Sequence, residues 1–380
     1  MAEDINSEAL KLHEKLRGKI EVHPKIEVKT KHDLALVYTP GVAEPCRRIA
    51  RNKSLAYKYT MKSNTVAIVS DGSAVLGLGN IGAHAAIPVM EGKSLIFKQL
   101  AGINCIPICL ESQDPEVIIQ TVKNISPIFG AINLEDISAP KCFYIERRLR
   151  EELSIPIMHD DQQGTAIVVL AAFINSIKVA KKGKDLRIVI IGAGAAGHAT
   201  AALLAKFGFS NIVVVDSKGI VSKSRKDLDE YKIELLKFTN RDNFNGSLRD
   251  ALKGADAFVG LSAPGILTAG DVKLMNSPIV FAMANPVPEI MPDEAIKGGA
   301  VIVGTGRSDF PNQVNNSLSF PGVFKGTLDS GVLKITDKMK LAAAKAIAAL
   351  VERPTRDQVL PDNLDPRVVP AVSRAVAEAK

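Results

Sequence analysis

Apolar and polar positions follow one rhythm over the first 160 residues and another beyond them. Residues 7–17 read as a short amphipathic helix, and the stretch 23–52 follows as a loop, a Pro-Gly turn and a second helix. Between 65 and 111, β-rich runs at 66–70, 94–98 and 104–110 alternate with helix-compatible segments, the pattern of a parallel sheet. Residues 114–137 repeat it as a helix and then a strand ending in acids, and "IERRLREEL" (145–153) reads as an exposed helix. From about 160 the texture changes. "GTAIVVLAAFINSIKVAKK" (164–182) has the length and apolar density of a buried helix, and 184–219 reads strand, glycine turn, helix, strand. "ADAFVGLS", "PIVFAMANP" and "AVIVGTG" supply three more short buried strands of a doubly wound sheet, and 336–353 is a helix stopped by Pro354.

The fold class expected is therefore α/β: an N-terminal α/β substrate domain plus a Rossmann-type doubly wound domain. The boundaries predicted are 1–159 for the first, completed by C-terminal helices over 317–380, and 160–316 for the second. The absence of a fixed-period repeat excludes a solenoid.

A length of 380 residues suits two domains of ordinary size. The net charge of +7 is spread along the chain among acids, so it predicts a solvated surface and no nucleic-acid partner, with a mild pull on anionic small molecules. Cys46, Cys105, Cys109 and Cys142 form no CxxC pair and have no histidine at zinc-finger spacing, which predicts reduced thiols and a cytoplasmic protein. The N-terminus lacks a signal-like apolar run, and 165–177 is too short for a membrane span, so no membrane association is expected.

The most specific local pattern is Gly192-Ala193-Gly194-Ala195-Ala196-Gly197, directly after the strand "RIVII" and opening a helix. Gly192 allows the tight turn, Gly194 lets the backbone approach a pyrophosphate, Ala195 and Ala196 open the helix, and Gly197 lets helix and strand pack closely. The next strand ends at Asp216, 24 residues after Gly192 (216 − 192), where a ribose-binding acid belongs. That acid favours NAD, while Ser217, Lys218 and Lys223 nearby leave NADP open.

Two acid pairs, Glu135-Asp136 and Asp160-Asp161, follow strands, and the carboxyl ends of strands face the ligand crevice of an α/β sheet. Three carboxylates from Glu135, Asp136 and Asp161 sharing a small volume call for a divalent cation, and oxygen-only ligands favour Mg²⁺ or Mn²⁺. The bland alternative makes each acid a helix cap. Two pairs beside a dinucleotide fold favour the metal.

"VYTPGVAEPC" (37–46), "SDGSAVLGLGNIG" (70–82), "EGKSLIFK" (91–98), "NLEDI" (133–137), "HDDQQGTA" (159–166), "GAGAAG" (192–197), "ANPVPEI" (284–290) and "FPNQVNNSLSFPGVF" (310–324) resemble the motifs of the malic enzymes, in their order. The likeness runs from about residue 15 to the C-terminus and is to the short prokaryotic type. It implies oxidative decarboxylation of L-malate to pyruvate and CO2 with reduction of NAD(P), dependent on a divalent metal.

Carried over residue by residue, the resemblance makes Glu135, Asp136 and Asp161 the metal ligands, with Asp160 behind them as a partner of Lys93. Lys93 becomes the general base, its pKa lowered toward neutrality by a neighbouring cation. Tyr38 becomes the acid that protonates C3, a task for a neutral donor such as a phenol. Asn285, Asn315 and Asn316 fall where the family contacts substrate and nicotinamide, and Asn312 reads as a turn residue. One departure stands out. The larger malic enzymes place a carboxylate-binding Arg just before "LGLG", whereas this chain has Ser73-Ala74-Val75-Leu76, leaving Lys53 and Lys58 as candidates, from this subunit or a second one. A homodimer is implied by the resemblance alone. The rival readings are a metal-independent amino-acid or other hydroxy-acid dehydrogenase and a non-catalytic dinucleotide sensor.

Overall fold

The computed structural model describes residues 5–75 and 77–380; residues 1–4 of the expected first domain and Leu76 of the Ser73–Leu76 segment lie outside the described residues. Among the described residues ten strands form two sheets: β1 (Thr65–Ser70), β2 (Asn104–Cys109), β3 (Ala131–Leu134), β4 (Ile157–His159), β5 (Ile188–Ile191), β6 (Ile212–Asp216), β7 (Gly219–Ile220), β8 (Ala257–Gly260), β9 (Ile279–Ala282) and β10 (Ile302–Thr305). The first sheet has the order β2-β1-β3-β4, all parallel. The second has the order β10-β9-β8-β5-β6-β7, parallel except for the antiparallel β6–β7 pair. The expected α/β architecture with a doubly wound sheet is thus present.

Both sheets carry helices on their faces, which is why β1, β5, β8 and β9 are apolar without alternation and buried along their length. Parallel strands need crossover connections, and the helices supply them. One expected strand is not a strand: 94–98 lies inside the helix Gly82–Ala101. Its buried positions, Ala83, Ala86, Met90, Lys93, Ser94, Phe97 and Ala101, recur every three or four residues, and that period overrides the β-like look of "SLIFK". The helix Lys141–Glu152 buries Cys142, Ile145, Glu146 and Leu149 and so is only partly exposed. The helix Asp337–Ala349 ends before Pro354.

The apolar helix of the second half starts at Asp160, directly after β4, and runs to Val179. Its 20 residues give it the length and apolar character to cross a membrane, but most of it is buried against the rest of the chain, including the helices Ala195–Phe207 and Asp337–Ala349. The C-terminal helices Phe320–Ser330 and Val368–Glu378 pack on each other, and Phe320 and Phe324 return to Phe97 of the first half with ring centroids 4.7 and 5.4 Å apart.

Candidate active site

Parallel register builds the acidic cluster. Val69 and His159 flank Leu134 on either side, so the residues immediately after β3 and β4 emerge side by side at the same edge of the sheet. Those residues are Glu135 and Asp136 on one loop and Asp160 and Asp161 at the start of the long helix. Carboxylate oxygens of Glu135, Asp136 and Asp161 lie within 4.8 Å of one another. Asp161 Oδ2 accepts the Asp136 backbone N–H at 2.8 Å, and Asn133 Nδ2 donates to Glu135 Oε2 at 2.9 Å. Asp136 takes a positive φ of 52°, a strained choice for a non-glycine residue that turns its carboxyl into the cluster. Neither acid pair caps a helix: the residue preceding the long helix is His159, and Asp160 and Asp161 sit within its first turn.

Lys93, buried on the helix Gly82–Ala101, reaches this cluster from the opposite side. Its ammonium donates to Glu135 Oε1 and Asp160 Oδ2 and lies 4.6 Å from the centre of the Phe320 ring. Burial acts to lower its pKa, but the charges of Asp160, Glu135 and Asp161 outweigh burial and hold it above the ordinary lysine range. The lowering expected from sequence is for a lysine beside a bound cation, whereas these carboxylates by themselves pull the other way. Burial lifts Asp160 to about 7 against the pull of Lys93, and lifts Glu135 as well. Gly164 is required by Asp160: a Cβ there would lie 1.8 Å from Asp160 Oδ1.

Asp136 and Asp161 open into a cavity of about 420 Å³ that runs to the glycine turn. Asp136, Asp161, Ala195, Ala196, Asn285, Asn315 and Asn316 all line it. Asn285 precedes a cis bond to Pro286. The Asn315 side-chain carbonyl caps the following turn by accepting from Ser317 N–H at 2.9 Å. Asn312 binds Val303 and Arg356 carbonyls and the Val359 N–H, a turn-holding role as expected.

At the turn, a Cβ on Gly197 would stand 1.7 Å from the Gly192 carbonyl oxygen, whereas nothing lies within 4 Å of one on Gly194. The third glycine thus serves helix packing, and the second leaves open space for a ligand at the helix N-terminus. Asp216 sits at the end of β6, its carboxylate gripped by Arg225 at 2.7 and 3.0 Å and by Lys232 at 3.1 Å. Burial opposes ionisation there, but Arg225, the Lys218 N–H and Lys232 hold the carboxyl below its usual range.

Several of these residues escaped sequence reasoning. Arg225 and Lys232 come from the loop and helix after β7, with no local signal to tie them to Asp216. Glu289 is buried and accepts Ser262 and Ala284 N–H at 3.0 and 2.9 Å, fixing two loops that line the cavity. Its one signal was an acid inside "ANPVPEI". Tyr38 behaves otherwise than expected: it ends the helix Lys31–Val37, is 66 % exposed and does not line the cavity. Lys53 and Lys58 are exposed on the same N-terminal segment.

Comparison with known proteins agrees with this architecture. Residues 17–117 and 111–150 match the family described as malic enzyme, N-terminal domain, and residues 162–379 match malic enzyme, NAD binding domain. The chain is 51 % identical over 380 residues to the bifunctional malic/malolactic enzyme of Bacillus subtilis, covering 99 % of this chain and 93 % of that one. It is 53 % identical over 366 residues to the NAD-dependent malic enzyme of Geobacillus stearothermophilus, covering 95 % and 76 %. The solved NAD-dependent malic enzyme of Thermotoga maritima superimposes with a TM-score of 0.94 at 48 % identity, covering 97 % and 98 %.

Proposed function

The chain belongs to the malic enzyme family, and from that premise and the geometry of its cleft we propose how it works. It is an NAD(P)-dependent malic enzyme, converting L-malate to pyruvate and CO2. The observation that carries the mechanistic reading is that Asp136 and Asp161 of the three converging carboxylates line the same cavity as the helix opening after the glycine turn, with buried Lys93 hydrogen-bonded to Glu135 of that cluster.

Glu135, Asp136 and Asp161 are the residues to hold a divalent cation: three negative oxygens within 4.8 Å, with no thiolate or imidazole among them, fit Mg²⁺ or Mn²⁺. Such an ion would supply a Lewis acid for the charge that develops on the substrate C2 oxygen, and a bound nicotinamide would supply the hydride acceptor. Lys93 takes the proton of the C2 hydroxyl once the charge of its carboxylate neighbours is compensated, and Asp160 holds the lysine in place. Tyr38 returns a proton to C3 after CO2 leaves. Asn285, Asn315 and Asn316 orient substrate and nicotinamide with uncharged donors.

Gly192, Gly194 and Gly197 with Ala195 and Ala196 seat the pyrophosphate, and Asp216 takes the adenosine ribose, so NAD is the preferred cofactor. Arg225 and Lys232 beside Asp216 are the groups through which NADP is tolerated. The protein works in the cytoplasm, consistent with four free cysteines. The test is nicotinamide reduction by L-malate with NAD and NADP separately, each with Mn²⁺ and with excess EDTA. Pyruvate formation abolished by EDTA supports the reading; full activity in EDTA refutes the metal.

A further inference from the structure

We propose that a second cavity, walled by the helices Lys141–Glu152 and Ala195–Phe207 and by the first turn of the helix Asp160–Val179, binds the zwitterion of an apolar or aromatic α-amino acid and transmits its occupancy to the metal ligands. The cavity holds about 400 Å³, enough for such a molecule, and among the described residues it shares no lining residue with the catalytic cleft. Binding there is separate from the malate reading, since it needs neither substrate nor dinucleotide.

Unpartnered polar groups lie deep in its wall. Gln162 is 3 % exposed and Glu146 6 %, so each is more than nine-tenths buried. Gln162 Nε2 donates to nothing in the protein. Glu146 Oε1 accepts the His159 N–H at 3.2 Å, but among the described residues no cation pairs with this carboxylate. The Lys340 ammonium feels its charge, yet donates to Gln163 and Asp337 at 2.7 and 2.9 Å. His198 adds a second orphan in its Nε2, and burial holds its pKa below the ordinary histidine range. A buried donor without an acceptor and a buried carboxylate without a cation are both costly, and one ligand carrying an anion and an ammonium relieves both.

The rest of the lining says which molecule does so. Three acids, Glu146, Glu151 and Glu234, are matched by three cations, Arg147, Arg150 and Lys334, so the wall as a whole is neutral and disfavours a ligand of one sign. Arg147 uses one N–H on the Tyr231 hydroxyl at 3.0 Å and Arg150 one on the Ile335 carbonyl at 3.1 Å, which leaves donors on both guanidinium groups for a carboxylate. Phe143 and Tyr231 pack with ring centroids 4.5 Å apart and supply an aromatic surface for an uncharged side chain. An acidic or basic side chain would upset the balance of three against three.

The wall is also tied directly to the catalytic elements. Gln162 follows Asp161, Glu146 holds the N–H of His159 just before Asp160, and His198 follows Gly197 of the glycine turn. A ligand that gives Gln162 an acceptor and Glu146 a cation steadies the chain on both sides of the Asp160-Asp161 pair. Mn²⁺ at the carboxylates is then held more tightly, and by linkage Mn²⁺ tightens the amino acid by the same factor.

The test is isothermal titration calorimetry of the full chain with L-phenylalanine, beside phenylacetate and phenethylamine as probes that keep only the anionic or only the cationic end. L-Phenylalanine is expected to bind once per chain, and each single-charge probe at least about tenfold more weakly. Either probe binding as well as L-phenylalanine refutes a zwitterion site, and no binding of L-phenylalanine or L-leucine overturns the proposal. Gln162→Met removes the orphan amide, and Glu146→Gln keeps an oxygen for the His159 N–H, so both variants should fold, as thermal melting checks, and each should weaken L-phenylalanine at least about tenfold. Folded variants that bind it as wild type does place it elsewhere, the catalytic cleft included, and overturn the site. Mn²⁺ titrated with and without saturating L-phenylalanine reads the coupling: a dissociation constant lowered about fivefold or more is expected, and an unchanged one refutes the link to the metal ligands. None of these measurements uses malate, so failure of the malate reading leaves their outcome standing.

Discussion

Replacing Asp161 by Asn separates a metal ligand from a structural acid, because the two roles predict opposite stability changes. At an effective dielectric constant of about 20, two charges at the 4.8 Å limit of the cluster repel by about 3.5 kcal/mol; in water the figure is about 0.9 kcal/mol. Asp161 faces two such neighbours, Glu135 and Asp136, while the attraction of Lys93 offsets roughly one of them. The Asp161 side chain is 33 % exposed, so solvent screens it and the net repulsion lies toward the lower figure. The amide oxygen that Asp161→Asn introduces can still accept the Asp136 N–H, so the fold loses no bond. In EDTA the variant is therefore expected to be more stable than wild type by about 1 kcal/mol, roughly 2 °C in melting temperature for a chain of this size.

With Mn²⁺ at about a hundred times its dissociation constant, the wild type gains about 2.7 kcal/mol by mass action. A variant that has lost a ligand and binds about a hundredfold more weakly gains only about 0.4 kcal/mol under the same conditions. The difference of about 2.3 kcal/mol reverses the order of the two proteins. Differential scanning fluorimetry of both, in EDTA and in Mn²⁺, reads the crossover directly. Equal destabilisation of Asp161→Asn in both conditions, or a wild-type melting temperature indifferent to Mn²⁺ and Mg²⁺, would refute the metal assignment.

Without metal, stability should fall as pH rises from about 4 to 7. Burial lifts Asp160 to about 7 and raises Glu135, so the stability they contribute is full below their unfolded values near 4 and is lost as pH climbs through the folded ones. Melting in EDTA across that window should show it, and Asp160→Asn should flatten the slope; a melting temperature that climbs instead contradicts the assignment. Gly197→Ala forces a Cβ to 1.7 Å from the Gly192 carbonyl and should cost about 1–3 kcal/mol and weaken NADH binding more than tenfold. Gly194→Ala, placed in open space at φ −85°, should leave folding intact and weaken NADH alone, which fluorescence titration beside thermal melting distinguishes. Asp216→Ala frees Arg225 and Lys232 for a 2′-phosphate, so the NADP/NAD ratio of kcat/KM should rise at least about tenfold; an unchanged ratio removes Asp216 from cofactor choice.

What the sequence made legible was local or repeated. The glycine turn, the strand before it and Asp216 after it are a contiguous unit whose geometry follows from residue type, and the doubly wound sheet follows from repeating buried strands. The acid pairs were legible for a related reason. Each directly follows a strand of one parallel sheet, and matching register converts neighbours in pattern into neighbours in space. Where that link is missing, the reading failed. The run 94–98 is apolar enough for a strand, and only the longer period from Ala83 to Ala101 shows it to be helical. Arg225 reaches Asp216 across a loop whose path no pattern encodes.

Tyr38 is the sharpest case, because its chemistry and its position come from different levels of organisation. A phenol in "VYTPGVA" gives the kind of group, but position requires a folded surface on which that group rests, and residues 5–60 bury nothing of their own. The forces that set β3 beside β4 act within one chain: ladder hydrogen bonds and a shared core fix their register. That segment has local hydrogen bonds and its two anchors at Lys19 and Lys62, so its place in space is set by whatever its apolar and basic side chains meet next.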